Sequence, residues 1–268
     1  GNLEDITLRA IKILQKSDLI LCEDTRVSSN LLKRYKIKKT LWSYHKFNEK
    51  RILETIFERL KKREVLTLIS DAGTPIISDP GLLLIKKCIN NKIPIFPIPG
   101  PSAVTSAISV SGFSDKYLFY GFLPNTDSEI KKELKDLSQF AHSIVFFVSP
   151  KKINKVLKHM KIYFNGREIM IGREITKYYE EFIRSSIKSL NLPLEKIKGE
   201  ITVVISDIIN KNNKIKNLNE LIKKEIKIML KTYSSKDTAN FISKKENISK
   251  KLIYEYCLLL RKWKNIYY

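Results

Sequence analysis

Up to Asp207 the chain alternates short apolar runs with stretches of helical period, a pattern that few architectures accept. Leu8, Ile11 and Leu14 share one helical stripe, with Asp5 placed to cap it. Leu19–Cys22 then reads as a buried strand. Further strands are expected at Thr40–Tyr44, Val65–Ser70 and Ile93–Ile98, with helices over Glu49–Lys62 and Leu82–Asn90 between them. Strands alternating with helices imply a mostly parallel sheet covered on both faces. From Tyr117 the strand candidates lie closer together: Tyr117–Phe122, Ile144–Ser149, Glu168–Gly172, Glu180–Ser185 and Glu200–Ile205. That spacing suggests a mixed sheet in a second domain. Pro124-Asn125-Thr126-Asp127 is a turn and cap ahead of an amphipathic helix. After Asn210 the chain turns Lys/Asn-rich and then helical, over Leu218–Leu230, Ser235–Lys244 and Ser249–Lys262. The expected fold class is α/β, with two α/β domains at 1–113 and 114–209 and a basic helical module at 210–268.

Composition narrows the class of protein. At 268 residues, with 43% hydrophobic and 29% charged content, the chain can bury two modest cores and is not disordered. No apolar run approaches the length of a bilayer span. Gly1-Asn2-Leu3-Glu4-Asp5 lacks the basic and apolar regions of a secretory signal, so a cytoplasmic protein is expected. Cys22, Cys88 and Cys257 are far apart in apolar stretches and read as reduced core residues, with no metal site. The net charge of +22 suits a polyanionic partner, although lysines spread over every helix also make an ordinary solvated surface.

Two loops concentrate the informative residues. Ser70 through Gly81 carries two Asp, two Pro and two Gly directly after a strand. In open α/β sheets ligands bind beyond the carboxyl ends of strands. Gly73 allows close backbone approach, and the prolines stiffen the loop. A plain strand-to-helix connection, with Asp79 or Gly81 near the helix start, explains one such loop equally well. Ile98-Pro99-Gly100-Pro101-Ser102-Ala103 repeats the design: Pro101 suits a first helical position, and Ser102 offers a hydroxyl beside free N–H groups. Two rigid loops on one sheet edge make a pocket for a small molecule. Neither G-x-G-x-x-G nor G-x-x-x-x-G-K occurs, so a nucleoside-type ligand without a triphosphate fits better.

Charged clusters sit at other strand ends. Glu23-Asp24-Thr25-Arg26 follows the first strand, and Ser43-Tyr44-His45-Lys46-Phe47-Asn48-Glu49 follows the second. Arg173-Glu174-Ile175-Thr176-Lys177, with Glu180-Glu181, belongs to the second half. Such groups either carry chemistry or simply pair with one another. His45 can stack or pack.

The runs Gly1 through Ala10, Glu23 through Arg26, Ser43 through His45, Ser70 through Gly81 and Pro97 through Ala103 occur in a characteristic order, as do Gly121-Phe122-Leu123-Pro124, Arg173 through Lys177 and Lys198-Gly199-Glu200. In these runs the chain resembles the bacterial small-subunit rRNA ribose-2′-O cytidine methyltransferases of the tetrapyrrole-methylase superfamily. The resemblance spans almost all of residues 1–206, and the tail is similar to that family's C-terminal module. It implies S-adenosylmethionine folded into a cleft between two α/β domains, commonly in a homodimer, with 16S rRNA or the small ribosomal subunit as partner and neither DNA nor membrane. The family's cofactor loops correspond to Asp71, Ala72, Gly73, Thr74 and Pro75, completed by Asp79-Pro80-Gly81, and to Pro99, Gly100, Pro101, Ser102 and Ala103. Members ordinarily carry a strand and a Thr-Pro-Ile segment just ahead of the residues matching Gly1-Asn2-Leu3, bordering the cofactor cleft. This sequence begins after that point.

A ribose hydroxyl is a poor nucleophile until its proton is removed. Glu23, Asp24 or Glu174 can accept that proton, while Arg26 or Lys177 holds a neighbouring phosphate. The Glu23–Arg26 cluster is the preferred acceptor side, with His45 and Arg173 toward the substrate. Lys244, Lys245, Lys250 and Lys251 in the tail either dock on rRNA or decorate a helical cap. Two other functions remain open: a porphyrinoid or diphthine-type small-molecule methyltransferase, and a non-catalytic RNA-binding relative. Titration with S-adenosylmethionine separates the last from both enzymes.

Overall fold

The computed structural model describes residues 1–190, 198–208, 218 and 220–264. They fall into two compact units, 1–208 and 209–268. The expected boundary at 209/210 lies outside the described residues.

The first unit is built on two sheets. In the first, β1 (Leu19–Cys22) lies between β2 (Leu41–Ser43) and β3 (Leu66–Ile69), all parallel, with Leu21 opposite both Trp42 and Leu68. An unbroken apolar strand is what a central position covered on both faces requires, and β1 is fully buried. Its residues alternate between faces. Leu19 and Leu21 pack with Ile56 of α3 (Glu49–Lys61) and with Leu84 and Cys88 of α4 (Leu82–Asn90). Ile20 packs with Leu14 of α1 (Leu8–Lys16) and Leu32 of α2 (Thr25–Arg34).

Several local expectations are corrected here. Thr7, not Asp5, caps α1, accepting from the Ala10 N–H at 3.1 Å, while Asp5 ends a short 3-10 turn. Helix α2 starts inside the charged cluster, where apolar periodicity is weak and gave no sign of it. Ile93–Ile98 is not a strand. Pro94 and Pro97 remove two of its N–H donors, so the segment makes a poor ladder partner, and Phe96 is 75% exposed. The second loop therefore follows an unpaired segment. Pro101 is not the first helical residue either: Ser102 is the N-cap of α5 (Ala103–Ser111), and its side chain makes no capping bond.

The second sheet has the order β4-β5-β8-β6-β7, formed by β4 (Tyr117–Phe122), β5 (Ser143–Val148), β6 (Glu168–Arg173), β7 (Glu181–Ser186) and β8 (Ile201–Ile205). Only β4 and β5 pair in parallel, joined through α6 (Asp127–Leu137), so the sheet is mixed as expected. Thr126 caps α6, its hydroxyl accepting from the Glu129 N–H at 3.4 Å and donating to the Glu129 carboxylate at 2.6 Å. One face buries Ile144, Phe146, Ile169, Ile171, Val203 and Ile205 against α6 and α7 (Ile153–Tyr163). The other face packs Val145, Met170 and Val204 on Val104 and Ala107 of α5. Helix α5 thus begins at the second loop and lies against the second sheet, which fixes that loop between the two sheets. Arg167 is buried and donates to the carbonyls of Ser138, Phe140 and Ser206 at 2.9, 2.6 and 3.2 Å, with the Asp207 carboxylate near enough to favour its charge.

The second unit consists of α8 (Glu220–Met229), α9 (Ser235–Glu246) and α10 (Lys250–Lys264) around Ile222, Ile226, Ala239, Ile242, Ile253 and Cys257. Ser234 caps α9, and Asn247, at φ 51°, turns the chain into α10. All three cysteines are buried, and none is in a disulfide. Among the described residues no helix is long and apolar enough to cross a membrane.

Candidate active site

Strand β3 delivers the chain into the loop from Ser70 to Gly81. The Ser70 hydroxyl reaches the carbonyls of Ala72 and Gly73 at 3.1 and 3.3 Å and turns the loop back on itself. Gly73 has φ +76°, which suits glycine, but Ile76 and Ser78 also sit at φ 75° and 70°. Left-handed backbone at a β-branched residue costs on the order of 1–3 kcal/mol and persists only where the surroundings hold it. Gly81 provides part of that hold. A Cβ there would stand 2.7 Å from the Leu68 side chain and 2.9 Å from Ile76, so only glycine lets Ile76 fold over it.

Thr74 Oγ1 donates to the Pro101 carbonyl at 3.2 Å and joins the first loop to the second. Thr7 Oγ1 reaches the Pro99 carbonyl at 3.4 Å from the other side. A Cβ on Gly100 would meet nothing within 4 Å, so the second loop presents bare backbone to open space. The first loop also reaches the second sheet. Ser78 Oγ lies 3.2 Å from where a Cβ on Gly121 would stand, and the β4 register shifts between Phe119 and Gly121. Gly121 lies in the Gly121-Phe122-Leu123-Pro124 run, but no local sequence signal marks it as a seat for this loop.

Carboxylates converge where β1 and β3 end. The Asp24 N–H donates to Asp71 Oδ1 at 3.1 Å. The Asp24 carboxylate caps α2 through the Arg26 N–H at 2.8 Å and also binds the Arg26 guanidinium at 2.6 Å. These bonds lower its pKa to about 2. Asp24 is therefore a poor proton acceptor, whereas the Arg26 side chain is 89% exposed. Glu23 differs. Burial, aided by Asp71 and Asp24, pushes its pKa up, and His45 opposes the shift. Asp79 is raised to about 6 by burial first, then by Glu23, Asp71 and Glu200, against a hydrogen bond from Ser70.

His45 follows β2 in a tightly bonded turn. Its N–H donates to Asn48 Oδ1 at 2.8 Å, and its Nδ1 accepts from the Phe47 N–H at 3.3 Å. Asn48 Nδ2 donates to the Ser43 carbonyl at 2.9 Å.

The second-half cluster is a closed network. Glu174 and Glu200 exchange bonds, with the Glu174 N–H on the Glu200 carbonyl at 2.9 Å and the Glu200 N–H on Glu174 Oε1 at 2.7 Å. Lys177 Nζ bridges Glu174 and Glu200 at 3.0 and 3.2 Å. The Glu200 N–H, followed by Lys177, holds the Glu174 carboxyl below its ordinary range against burial. Burial works against the Lys177 charge, but the bonds to Glu174 and Glu200 keep its pKa raised. Arg173 is paired with Glu181 at 3.0 Å. The Asn2 N–H donates to Thr176 Oγ1 at 3.2 Å and ties the start of the chain to this loop.

Glu23, Asp24, Arg26, His45, Asp71 and Asp79 are thus gathered at the carboxyl ends of the first sheet. Glu200, absent from the sequence-based site residues, acts on Asp79 and so connects Glu174 and Lys177 to them. The exposed Lys244, Lys245, Lys250 and Lys251 belong to the separate helical unit, and Lys245 pairs with Glu225. Among the described residues no group of three or more His, Cys, Asp and Glu side chains is arranged to hold a metal ion.

Residues 1–191 match the model of the tetrapyrrole (corrin/porphyrin) methylases. A ribosomal RNA small subunit methyltransferase I from Thermotoga maritima is 44% identical over 209 residues, covering 77% of this chain and 94% of that protein. One from Neisseria meningitidis serogroup A is 34% identical over 270 residues, covering 99% of this chain and 91% of its own. Among solved structures, a cobalamin biosynthetic enzyme, cobalt precorrin-4 methyltransferase, has a TM-score of 0.59 at 17% identity, over 77% of this chain and 90% of that one, a likeness of fold. By these matches the chain belongs to the tetrapyrrole (corrin/porphyrin) methylases and, within them, to the group of the ribosomal RNA small subunit methyltransferases I.

Proposed function

We propose that this protein is an S-adenosylmethionine-dependent methyltransferase acting on a cytidine ribose 2′-hydroxyl of 16S rRNA in the cytoplasm. The observation that carries the reading is the 34% identity to a ribosomal RNA small subunit methyltransferase I over 99% of the chain, helical tail included. The corrinoid enzyme, by contrast, covers 77% of the chain at 17% identity. The α/β halves 1–113 and 114–209 form the catalytic body, and the module 210–268 contributes Lys244, Lys245, Lys250 and Lys251 to rRNA docking.

The loops Asp71–Pro75, with Asp79, and Pro99–Ala103 fit the cofactor: they are tied together at Thr74 and Pro101, and Gly100 leaves open space beside bare backbone. S-adenosylmethionine supplies an electrophilic methyl carbon when bound. The protein's task is to place the acceptor oxygen and take its proton. Glu23 takes that proton, because burial and the neighbouring Asp71 raise its pKa while the Asp24 and Glu174 carboxylates are committed to Arg26 and to Lys177. Arg26 holds the flanking phosphate, aimed by Asp24. Asp79, with a pKa of about 6, limits the negative charge that gathers beside Glu23. Arg173 and Lys177, held by Glu181 and by Glu174 and Glu200, contribute to substrate binding.

The test is transfer of labelled methyl groups to small subunits from a strain lacking the enzyme. Label in a cytidine 2′-O-methyl product is expected. Label only on a porphyrinoid or diphthine-type acceptor would assign a small-molecule enzyme, and failure to bind S-adenosylmethionine would assign a non-catalytic relative. A homodimer burying roughly 2,000 Å² is also proposed; light scattering that finds monomer at micromolar concentration would rule it out.

A further inference from the structure

Phe47 is 94% exposed, yet it projects from a turn held by several hydrogen bonds. His45, Asn48 and Ser43 lock that turn through the three bonds given above, and the His45 carbonyl also accepts from the N–H groups of Asn48 and Glu49 at 3.0 and 2.9 Å. A rigid turn that holds a large apolar ring in water gains nothing from the ring in the folded chain by itself. The ring makes one tilted contact with His45, centroids 6.0 Å apart and planes at 64°, and its exposure leaves ring surface open to solvent. The turn leaves the carboxyl end of β2, beside the end of β1, and His45 lies close enough to Glu23 to act on its charge. Lys46 precedes Phe47 and Lys50 follows three residues later, and both are exposed.

We propose that Phe47 is a base-stacking residue, holding on its open face the nucleobase of the nucleotide whose ribose is presented to Glu23. This rests on the rRNA reading above. A flat ring with an apolar face, attached to a polyanion, is the ligand that an open aromatic ring in a lysine-bearing segment recognises. A ribose within a stacked strand does not reach a recessed carboxylate, so the target nucleotide is splayed out and its base needs a new stacking partner. Phe47 is accordingly a positioning residue.

The test compares Phe47→Ala, Phe47→Leu and Phe47→Trp with the wild type in methylation of small subunits under single-turnover conditions, alongside S-adenosylmethionine calorimetry and light scattering. Phe47→Ala and Phe47→Leu should raise the half-saturating subunit concentration about tenfold, the scale of one lost base–aromatic stack. Phe47→Trp should stay within about twofold of wild type, and cofactor affinity and oligomeric state should not change. Wild-type behaviour of Phe47→Ala while the wild type methylates subunits overturns the stacking role and leaves the rRNA reading standing. Full rescue by leucine would mean a plain apolar contact, and dissociation of the variants to monomer would mean a subunit interface; either also overturns it. A wild type that binds cofactor but leaves small subunits unmethylated removes the rRNA reading itself, and the stacking role with it.

Discussion

Thr74 Oγ1 donates to the Pro101 carbonyl at 3.2 Å, and this bond holds together two loops that reach the site from different parts of the chain. Replacing Thr74 by Val keeps the shape and removes the donor. A single hydrogen bond is worth about 1 kcal/mol, so S-adenosylmethionine affinity should fall roughly fivefold with little loss of stability. Gly100→Val makes the complementary test. Its side chain enters open space, so the fold should hold while cofactor binding is blocked. Unchanged affinity in both variants, measured by calorimetry, would place the cofactor elsewhere.

Gly199 supports the second-half cluster by being small. A Cβ there would lie 2.5 Å from the Glu174 carboxyl group, and its φ of +92° is unfavourable for any L-residue. Glu174 can swing aside only by giving up its bonds to Lys177 and to the Glu200 N–H. Gly199→Ala should therefore cost roughly 2 kcal/mol or more and lower Tm by about 5 °C. An unshifted melting curve would show that the network yields freely.

Asp79 makes a pH-dependent contribution whose sign follows from its raised pKa. The folded protein binds that proton more tightly than the unfolded chain, whose Asp titrates near about 3.9. The associated stability is fully present below the unfolded value and is lost as pH rises through about 6. Asp79→Asn carries no charge to bury, so its Tm relative to wild type should rise between pH 4 and pH 7. A constant difference across that window would show that the ionised carboxylate is already well solvated.

Much of this was legible because the signals are local. The unbroken apolar run at Leu19–Cys22 marks a central strand, and Gly and Pro mark both loops. Ile93–Ile98 was misread because apolar content alone does not distinguish a strand from an extended segment, and its prolines take away the donors a ladder needs. Helix α2 was missed because Asp24 was read for its chemistry, when one of its tasks is to cap that helix. The pairing of Lys177 with Glu200 and the seating of Ser78 on Gly121 join residues far apart in sequence, and no local pattern announces either.

The roles within the Glu23–Arg26 cluster can be separated by three substitutions. Glu23→Gln removes the proposed proton acceptor at nearly constant shape and should lower single-turnover methylation by roughly 100-fold or more. Asp24→Asn retains a good capping residue, so α2 should stay folded, but Arg26 loses its partner and its aim. A loss of roughly tenfold in rate is expected, smaller than for Glu23→Gln, because Asp24 acts through Arg26 and not on the proton. Arg26→Ala should weaken rRNA binding and reduce its salt dependence by about one phosphate contact. In all three, S-adenosylmethionine affinity should remain near wild type, since the loops proposed to hold it are Asp71–Pro75 and Pro99–Ala103. Near wild-type rates for Glu23→Gln would move the proton acceptor to Asp79, whose pKa of about 6 suits the task. Near wild-type rates and salt dependence for the other two would reduce Asp24 and Arg26 to a structural ion pair, and the phosphate contact would then fall to Arg173 or Lys177.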